Sequence, residues 1–213
     1  IATGSLNKLG QTIKYNSSGA TNWTNAFVGD GAVQVLYGVA VDNQSSVYVA
    51  GVANYSGTND TYLIRYNSTN GSNIWNVSYN VGTGNEVANA VDVDNKGFVY
   101  IAGSDGFNKL IVKYNVTDGS YVYNITGGDV TGEENFLDIV YDSDALYALL
   151  YDFINHAVTI YKYNATNQSV IWSKSQAENA VPDSSRWGID IDSQGHAYVA
   201  GDDDGFFTIF KFN

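Results

Sequence analysis

Twelve asparagines stand in the pattern Asn-x-Ser/Thr, whose side-chain amide is the acceptor for an N-linked glycan: Asn16, Asn22, Asn43, Asn54, Asn59, Asn67, Asn70, Asn76, Asn115, Asn124, Asn164 and Asn167. They are half of the 24 asparagines; with Ser and Thr at 32 of 213 positions, chance (24 × 32/213) would give about 3.6. A threefold excess points to a glycosylated chain at the cell surface or beyond it. The other chemistry on offer is thinner. Asp92, Asp138 and Asp190 could ring a channel and hold a hard cation such as Ca²⁺, and Asp202-Asp203-Asp204-Gly205 could cup one, though neither follows a complete calcium-loop pattern. His156 and His196 are the only histidines, and no nucleophile elbow, His-x-x-x-His pair or phosphate loop accompanies them. Glu86, Glu133, Glu134 and Glu178 are the only glutamates, and a glycosidase pair among them is not a reading the sequence favours. The expectation is no catalytic residue, no cofactor and no metal, with Ca²⁺ left open.

The positions of these residues follow a repeat. A basic-aromatic-Asn triplet recurs as Lys14-Tyr15-Asn16, Arg65-Tyr66-Asn67, Lys113-Tyr114-Asn115, Lys162-Tyr163-Asn164 and Lys211-Phe212-Asn213, with spacings of 51, 48, 49 and 49 residues. Eight or nine residues after the first four aromatics come Trp23, Trp75, Tyr123 and Trp172. An Asp closes an apolar run well before the last four triplets, at Asp42, Asp94, Asp142 and Asp192. The triplet's Asn opens a sequon in four units. Its basic residue could ring a ligand, but pairing with acidic neighbours on adjoining strands is the expectation.

Each unit resolves into four short strands, a to d. Strand a ends at the recurrent Asp, a tight polar turn leads to strand b (Val47 to Gly51, Val99 to Gly103), strand c carries the triplet, and strand d carries Trp75 and its equivalents. Period-two alternation sets Tyr62, Ile64 and Tyr66 against Leu63 and Arg65, and Trp75, Val77 and Tyr79 against Ile74, Asn76 and Ser78. Trp75, Tyr123 and Trp172 are expected to be buried equivalents. The fold class is therefore all-β, with four-stranded units of about 49 residues stacked radially as β-propeller blades. Residues 1–213 form a single domain, with units at about 1–27, 37–80, 89–127, 137–175 and 187–213.

The stretch from Asn89 through Asp94 and Gly97 to Gly103, with Leu110 to Asn115, resembles the short repeats first described from seven-bladed propellers. It is also similar to the YVTN-type repeats of archaeal surface-layer proteins, from which Tyr48-Val49-Ala50-Gly51 departs. The resemblance implies a propeller and leaves function open, since this fold carries enzymes, lectins and scaffolds. Strand order b-c-d, three times a-b-c-d, then a-b-c leaves three readings: five blades with two incomplete, four blades plus a spare arm of residues 1 to 16, or a piece of a longer array.

Composition narrows the class. Twenty-two acidic against ten basic residues give a net charge of −12, which leaves nucleic acid no basic stripe. There is no Cys, so no disulfide and no thiolate site. No apolar run approaches the roughly 18 residues of a spanning helix, and Ile1 opens what reads as a mature or trimmed chain. These features suggest a non-enzymatic, N-glycosylated extracellular protein with a structural or adhesive role. Its one expected protein partner is itself, in a head-to-tail filament or layer built by strand addition through residues 1 to 16. The alternatives are a lectin-like propeller stacking sugars on loop aromatics such as Tyr55 and, behind it, a polysaccharide lyase or hydrolase.

Overall fold

The structure is a computed structural model that describes residues 1–6, 9–27, 34–55, 58–81, 84–127, 134–152, 157–177, 187–203 and 206–212. Within them eighteen strands form five antiparallel sheets, each a meander in chain order, and there is no helix. The first sheet holds β1 (Ala2–Leu6), β2 (Leu9–Tyr15) and β3 (Thr21–Phe27). The second holds β4 (Gln34–Val41), β5 (Ser46–Tyr55), β6 (Thr58–Asn67) and β7 (Asn73–Tyr79). In the third are β8 (Val87–Val93), β9 (Phe98–Ser104), β10 (Lys109–Asn115) and β11 (Tyr121–Gly127). The fourth runs through β12 (Glu134–Asp142), β13 (Ala145–Asp152), β14 (Ala157–Asn164) and β15 (Val170–Ala177). The fifth has β16 (Gly188–Ile191), β17 (Ala197–Asp203) and β18 (Phe206–Phe212).

This is the a-to-d order expected from the repeat, with the inner strand missing from the first sheet and the outer strand from the last. The spare-arm reading gives way to five sheets. Ala2 to Leu6 pair with Leu9 to Ile13, and Lys14 stands opposite Trp23, so Ala2–Leu6 and Leu9–Tyr15 are built into the first sheet.

Alternation along each strand sends side chains into two different cores. From β6, Tyr62, Ile64 and Tyr66 pack back onto the first sheet with Trp23 and Phe27, while Leu63 packs forward with Tyr48, Ala88 and Leu110 of the next junction. From β10, Leu110, Val112 and Tyr114 point back and Ile111 points forward to Phe136 and Leu146. The fourth junction joins Tyr147, Leu149 and Ile160 to Trp187, Ile189 and Val199. In the second, third and fourth sheets strands b and c are largely buried on both faces, which is why they read as apolar runs, each large side chain worth about 1.5–3 kcal/mol of burial. The β4, β8, β12 and β16 strands touch in succession along the inner side. Strand c is bulged at the same step in four sheets, between Lys14 and Tyr15, Arg65 and Tyr66, Lys113 and Tyr114, and Lys162 and Tyr163. The triplet thus marks a bulge as well as a register.

Trp75, Tyr123 and Trp172 lie at the inter-sheet junctions as expected, but they are half-buried; only Trp23 of this series is buried. An outermost strand has no further strand beyond it, so one edge of each ring stays wet.

Candidate functional site

The c–d turns hold the recurrent sequons. In each, the Asn Oδ1 accepts the backbone N–H two residues on: Ser18 to Asn16 at 3.0 Å, Thr69 to Asn67 and Thr117 to Asn115 at 2.8 Å, and Thr166 to Asn164 at 2.9 Å. These are Asx turns, and they give the side-chain oxygen a structural task. An Asp would serve that turn equally well, and does so at the second turn position, where Asp118 accepts from Ser120 as Asn70 does from Ser72 and Asn167 from Ser169. The first position is nonetheless always Asn, always followed two residues on by Ser or Thr. Of those four hydroxyls only that of Ser18 bonds its Asn. The turn explains the oxygen and leaves the amide nitrogen and the hydroxyl residue to another purpose.

All twelve sequon asparagines are accessible. Asn16, Asn22, Asn43, Asn70, Asn76 and Asn167 are exposed; Asn54, Asn59, Asn67, Asn115, Asn124 and Asn164 are partly so. Asn76 and Asn124, on the outer strands β7 and β11, accept from the hydroxyls of Tyr62 and Tyr121 through Oδ1. Asn54 differs, since its amide donates to Asn59 Oδ1 at 3.0 Å.

Of the repeated basic residues, Lys14, Arg65 and Lys113 bond backbone carbonyls and, among the described residues, no carboxylate. Lys14 donates to Ser68 O (2.7 Å), Arg65 to Val116 O (2.7 Å) and Lys113 to Ala165 O (3.3 Å), each reaching the c–d turn of the following sheet. The same three carbonyls accept a second bond, from Trp23 Nε1, Trp75 Nε1 and Tyr123 OH, each at 2.9 Å. A carbonyl has two lone pairs, and the preceding sheet fills both. The turn tucks beneath the aromatic ring so closely that a Cβ on Gly71 would lie 2.7 Å from the Trp23 ring.

The inner-strand aspartates form backbone links of the same kind. Asp92 Oδ2 accepts Tyr141 N–H at 2.6 Å and Asp138 Oδ2 accepts Ile189 N–H at 3.0 Å, each across a junction. Asp190 accepts only from Ile191 beside it. Among the described residues no three His, Asp or Glu side chains are grouped to hold a metal. Asp202 and Asp203 end β17, while Asp204 and Gly205 lie outside the described residues. Burial raises the pKa of Asp92 and Asp138 above the ordinary aspartate value despite their N–H donors, and burial raises that of Glu86. Such groups bind protons more tightly folded than unfolded, so their stabilisation is full below the ordinary carboxylate pKa and lost as pH rises through the raised values. Asp118, held low by the Ser120 N–H, and Asp144, held low by Lys96, work the other way but are exposed and screened. The melting temperature is expected to fall as pH rises from the ordinary carboxylate range, about 4, towards neutral; a scanning-fluorimetry series showing a rise would contradict it.

One place breaks the repeat. In the a–b turns of the second, third and fifth sheets the Asp N–H bonds the carbonyl four residues on, Asp42 to Ser46, Asp94 to Phe98 and Asp192 to His196, leaving three residues between, and Ser45, Gly97 and Gly195 have positive φ. In each, the Asp before the turn caps it: Asp94 Oδ1 accepts from Lys96 and Phe98, and its Oδ2 from Tyr100 OH. The fourth sheet has two residues, Ser143 (φ 48°) and Asp144 (φ 67°), between Asp142 and Ala145. Both are left-handed and neither is glycine, which costs on the order of 1–2 kcal/mol per residue. The shorter hairpin leaves a cleft of about 640 Å³ between the third and fourth sheets, lined by Val93, Asn95, Lys96, Tyr141, Asp142, Ser143 and Asp144. The matching gap between the second and third sheets, lined by Asp42, Asn43, Gln44 and Asp94 among others, holds about 30 Å³. Lys96 and Asp144 pair across the mouth, and Tyr141 donates to Asp144 at 2.8 Å. Burial, then that bond, pushes the Tyr141 hydroxyl up to about 12.

No protein-family description matches this sequence. No curated protein matches it either. Among solved structures it is similar to the Dos1 propeller, with a TM-score of 0.58 at 10% identity over 91% of this chain and 49% of that one. The fold is a β-propeller. A quinohemoprotein alcohol dehydrogenase from Comamonas testosteroni is similar too, with a TM-score of 0.56 at 14% identity over 97% of this chain and 40% of that one. At such identities the likeness is of fold alone, and this propeller chain spans half or less of the length of the chains it matches. Its blades keep the remaining titratable candidates apart. His196 Nδ1 lies 2.9 Å from Asp192 Oδ2 within one a–b turn. Glu134 pairs with Lys109 at 2.6 Å between the third and fourth blades, and Glu86 Oε1 accepts Val81 N–H at 3.2 Å. His156, Glu133 and Glu178 lie outside the described residues. The double-accepting carbonyl and the short fourth hairpin were missed in the sequence. The hairpin had a signal there, one residue fewer between Asp142 and the next apolar run.

Proposed function

We propose that this propeller is a non-enzymatic, N-glycosylated structural or adhesive protein of the cell exterior. The observation that carries the reading is the c–d turn, where Asn is kept at a position that Asp could fill, with Ser or Thr two residues on. Asn16 is exposed and Asn67, Asn115 and Asn164 are partly exposed, one in each of the first four blades at the same end of the sheets. Glycans there and on Asn76 and Asn124 would shield the outer strands from edge-to-edge pairing. Self-association completes the proposal. The first and last sheets have three strands each where the others have four, and the contact with another copy is placed at these two sheets. Tyr15 supports it, being 44% exposed where its equivalents Tyr66, Tyr114 and Tyr163 are 1–3% exposed.

Peptide mapping of native material by mass spectrometry tests the glycan part. Asn67, Asn115 and Asn164 are expected to carry sugar. Finding all three unmodified would remove the basis for an extracellular glycoprotein.

A further inference from the structure

We infer that the cleft between the third and fourth blades is a binding site for a neutral saccharide. The repeat supplies its own way of closing this space, the three-residue turn used by the second, third and fifth blades, and the fourth blade departs from it by accepting two left-handed non-glycine residues. Of the two gaps that flank the third blade, the wide one is the one bordered by the hairpin that departs from the repeat.

Its lining selects the ligand class. Asp142 and Asp144 against a single Lys96, on a chain of net charge −12, disfavour an anion. Among the described residues no three acidic or histidine side chains are grouped here, which disfavours a metal ion. Val93 and the Tyr141 ring are too little apolar surface for a hydrophobic ligand. What remains is a molecule that donates to carboxylates and accepts from an ammonium and an amide on closely spaced groups, with C–H surface to set beside an aromatic ring. Sugar hydroxyls on a pyranose do this. Asn95 and Lys96 would give to them, Asp142 and Asp144 would take from them, and Tyr141 would flank the ring.

The test uses the full chain made in a host that does not N-glycosylate, so that its outcome is independent of the glycans proposed above. Saturation-transfer NMR with glucose, galactose, mannose and N-acetylglucosamine, and with their β-linked disaccharides, should show transfer to at least one sugar. Replacing Ser143 and Asp144 by Asn-Lys-Gly, the turn of the third blade, should weaken that binding at least tenfold, about 1.4 kcal/mol, while the melting temperature holds or rises. Asp144→Asn should weaken it while leaving the turn in place. Transfer that survives the three-residue turn, or no transfer from any sugar in the panel, would overturn the proposal. A second arm separates a free sugar from one borne by the protein. If the ligand is a glycan of a neighbouring copy, glycosylated material should bind free sugar only after enzymatic deglycosylation; if it is a free sugar, both preparations should bind alike.

Discussion

Gly103→Ala is expected to destabilise the propeller by about 3 kcal/mol, whereas Gly4→Ala at the same repeat position should change stability by less than about 0.5 kcal/mol. Gly103 lies on β9 opposite the bulge of β8 between Ala88 and Ala90. A Cβ there would sit 1.8 Å from Val87 O and 2.8 Å from Val87 C, and backbone atoms cannot swing aside as a side chain would. Gly51 meets Val35 O at 2.0 Å in the same way, while Gly4 has nothing within 4 Å, because no inner strand stands opposite it in the first blade. The fourth blade holds Leu150 opposite Phe136 at the matching position, so the requirement belongs to the approach of Val87 and Val35 and not to the repeat as such. Urea unfolding of the two variants checks this. Equal losses would show that the effect is glycine's general flexibility and not the close approach.

The other large effect is at the third junction. Phe136 is fully buried, with the rings of Tyr161 and Tyr163 edge-on at 6.1 and 6.4 Å between centroids. Phe136→Ala removes a large apolar side chain from a site that backbone strands hold open on both sides, so the cavity should persist, at about 3–5 kcal/mol. Because blades contact only their neighbours, the loss is local to one junction, and the two parts of the array should begin to unfold separately. Calorimetry would then report a van't Hoff enthalpy below the calorimetric one. Phe107→Ala, at a side chain 64% exposed, is the control and should be nearly silent. A Phe136 loss under about 1 kcal/mol would mean that the junction collapses to fill the gap.

The repeat was legible because it is written in local patterns. Strand order, the two faces of Tyr62 to Tyr66 and the turn asparagines all follow from period-two alternation and recurrent spacing, whereas the same patterns left the number of blades open. The targets of long side chains were not legible. Lys14, Arg65 and Lys113 reach carbonyls 54, 51 and 52 residues away, and a charge pattern suggests a carboxylate where the fold presents a turn. The same limit applies to Asp92 and Asp138, whose oxygens read as cation ligands until the adjoining strand puts an N–H in front of them. The half-burial of Trp75 depends on how far the outer strand lies from its neighbouring blade, a tertiary quantity.

The shared carbonyls of Ser68, Val116 and Ala165 bear on how such a chain can grow. Each of the first three blades hands two donors forward to the next, so the bonding has a direction and these three junctions ask the same thing of their successors. A duplicated 49-residue segment spliced at one of these three junctions would find an acceptor ahead and donors behind. Selection could then lengthen or shorten the array one unit at a time, with each intermediate folded, and keep the short fourth hairpin as the mark of the one junction that is not interchangeable.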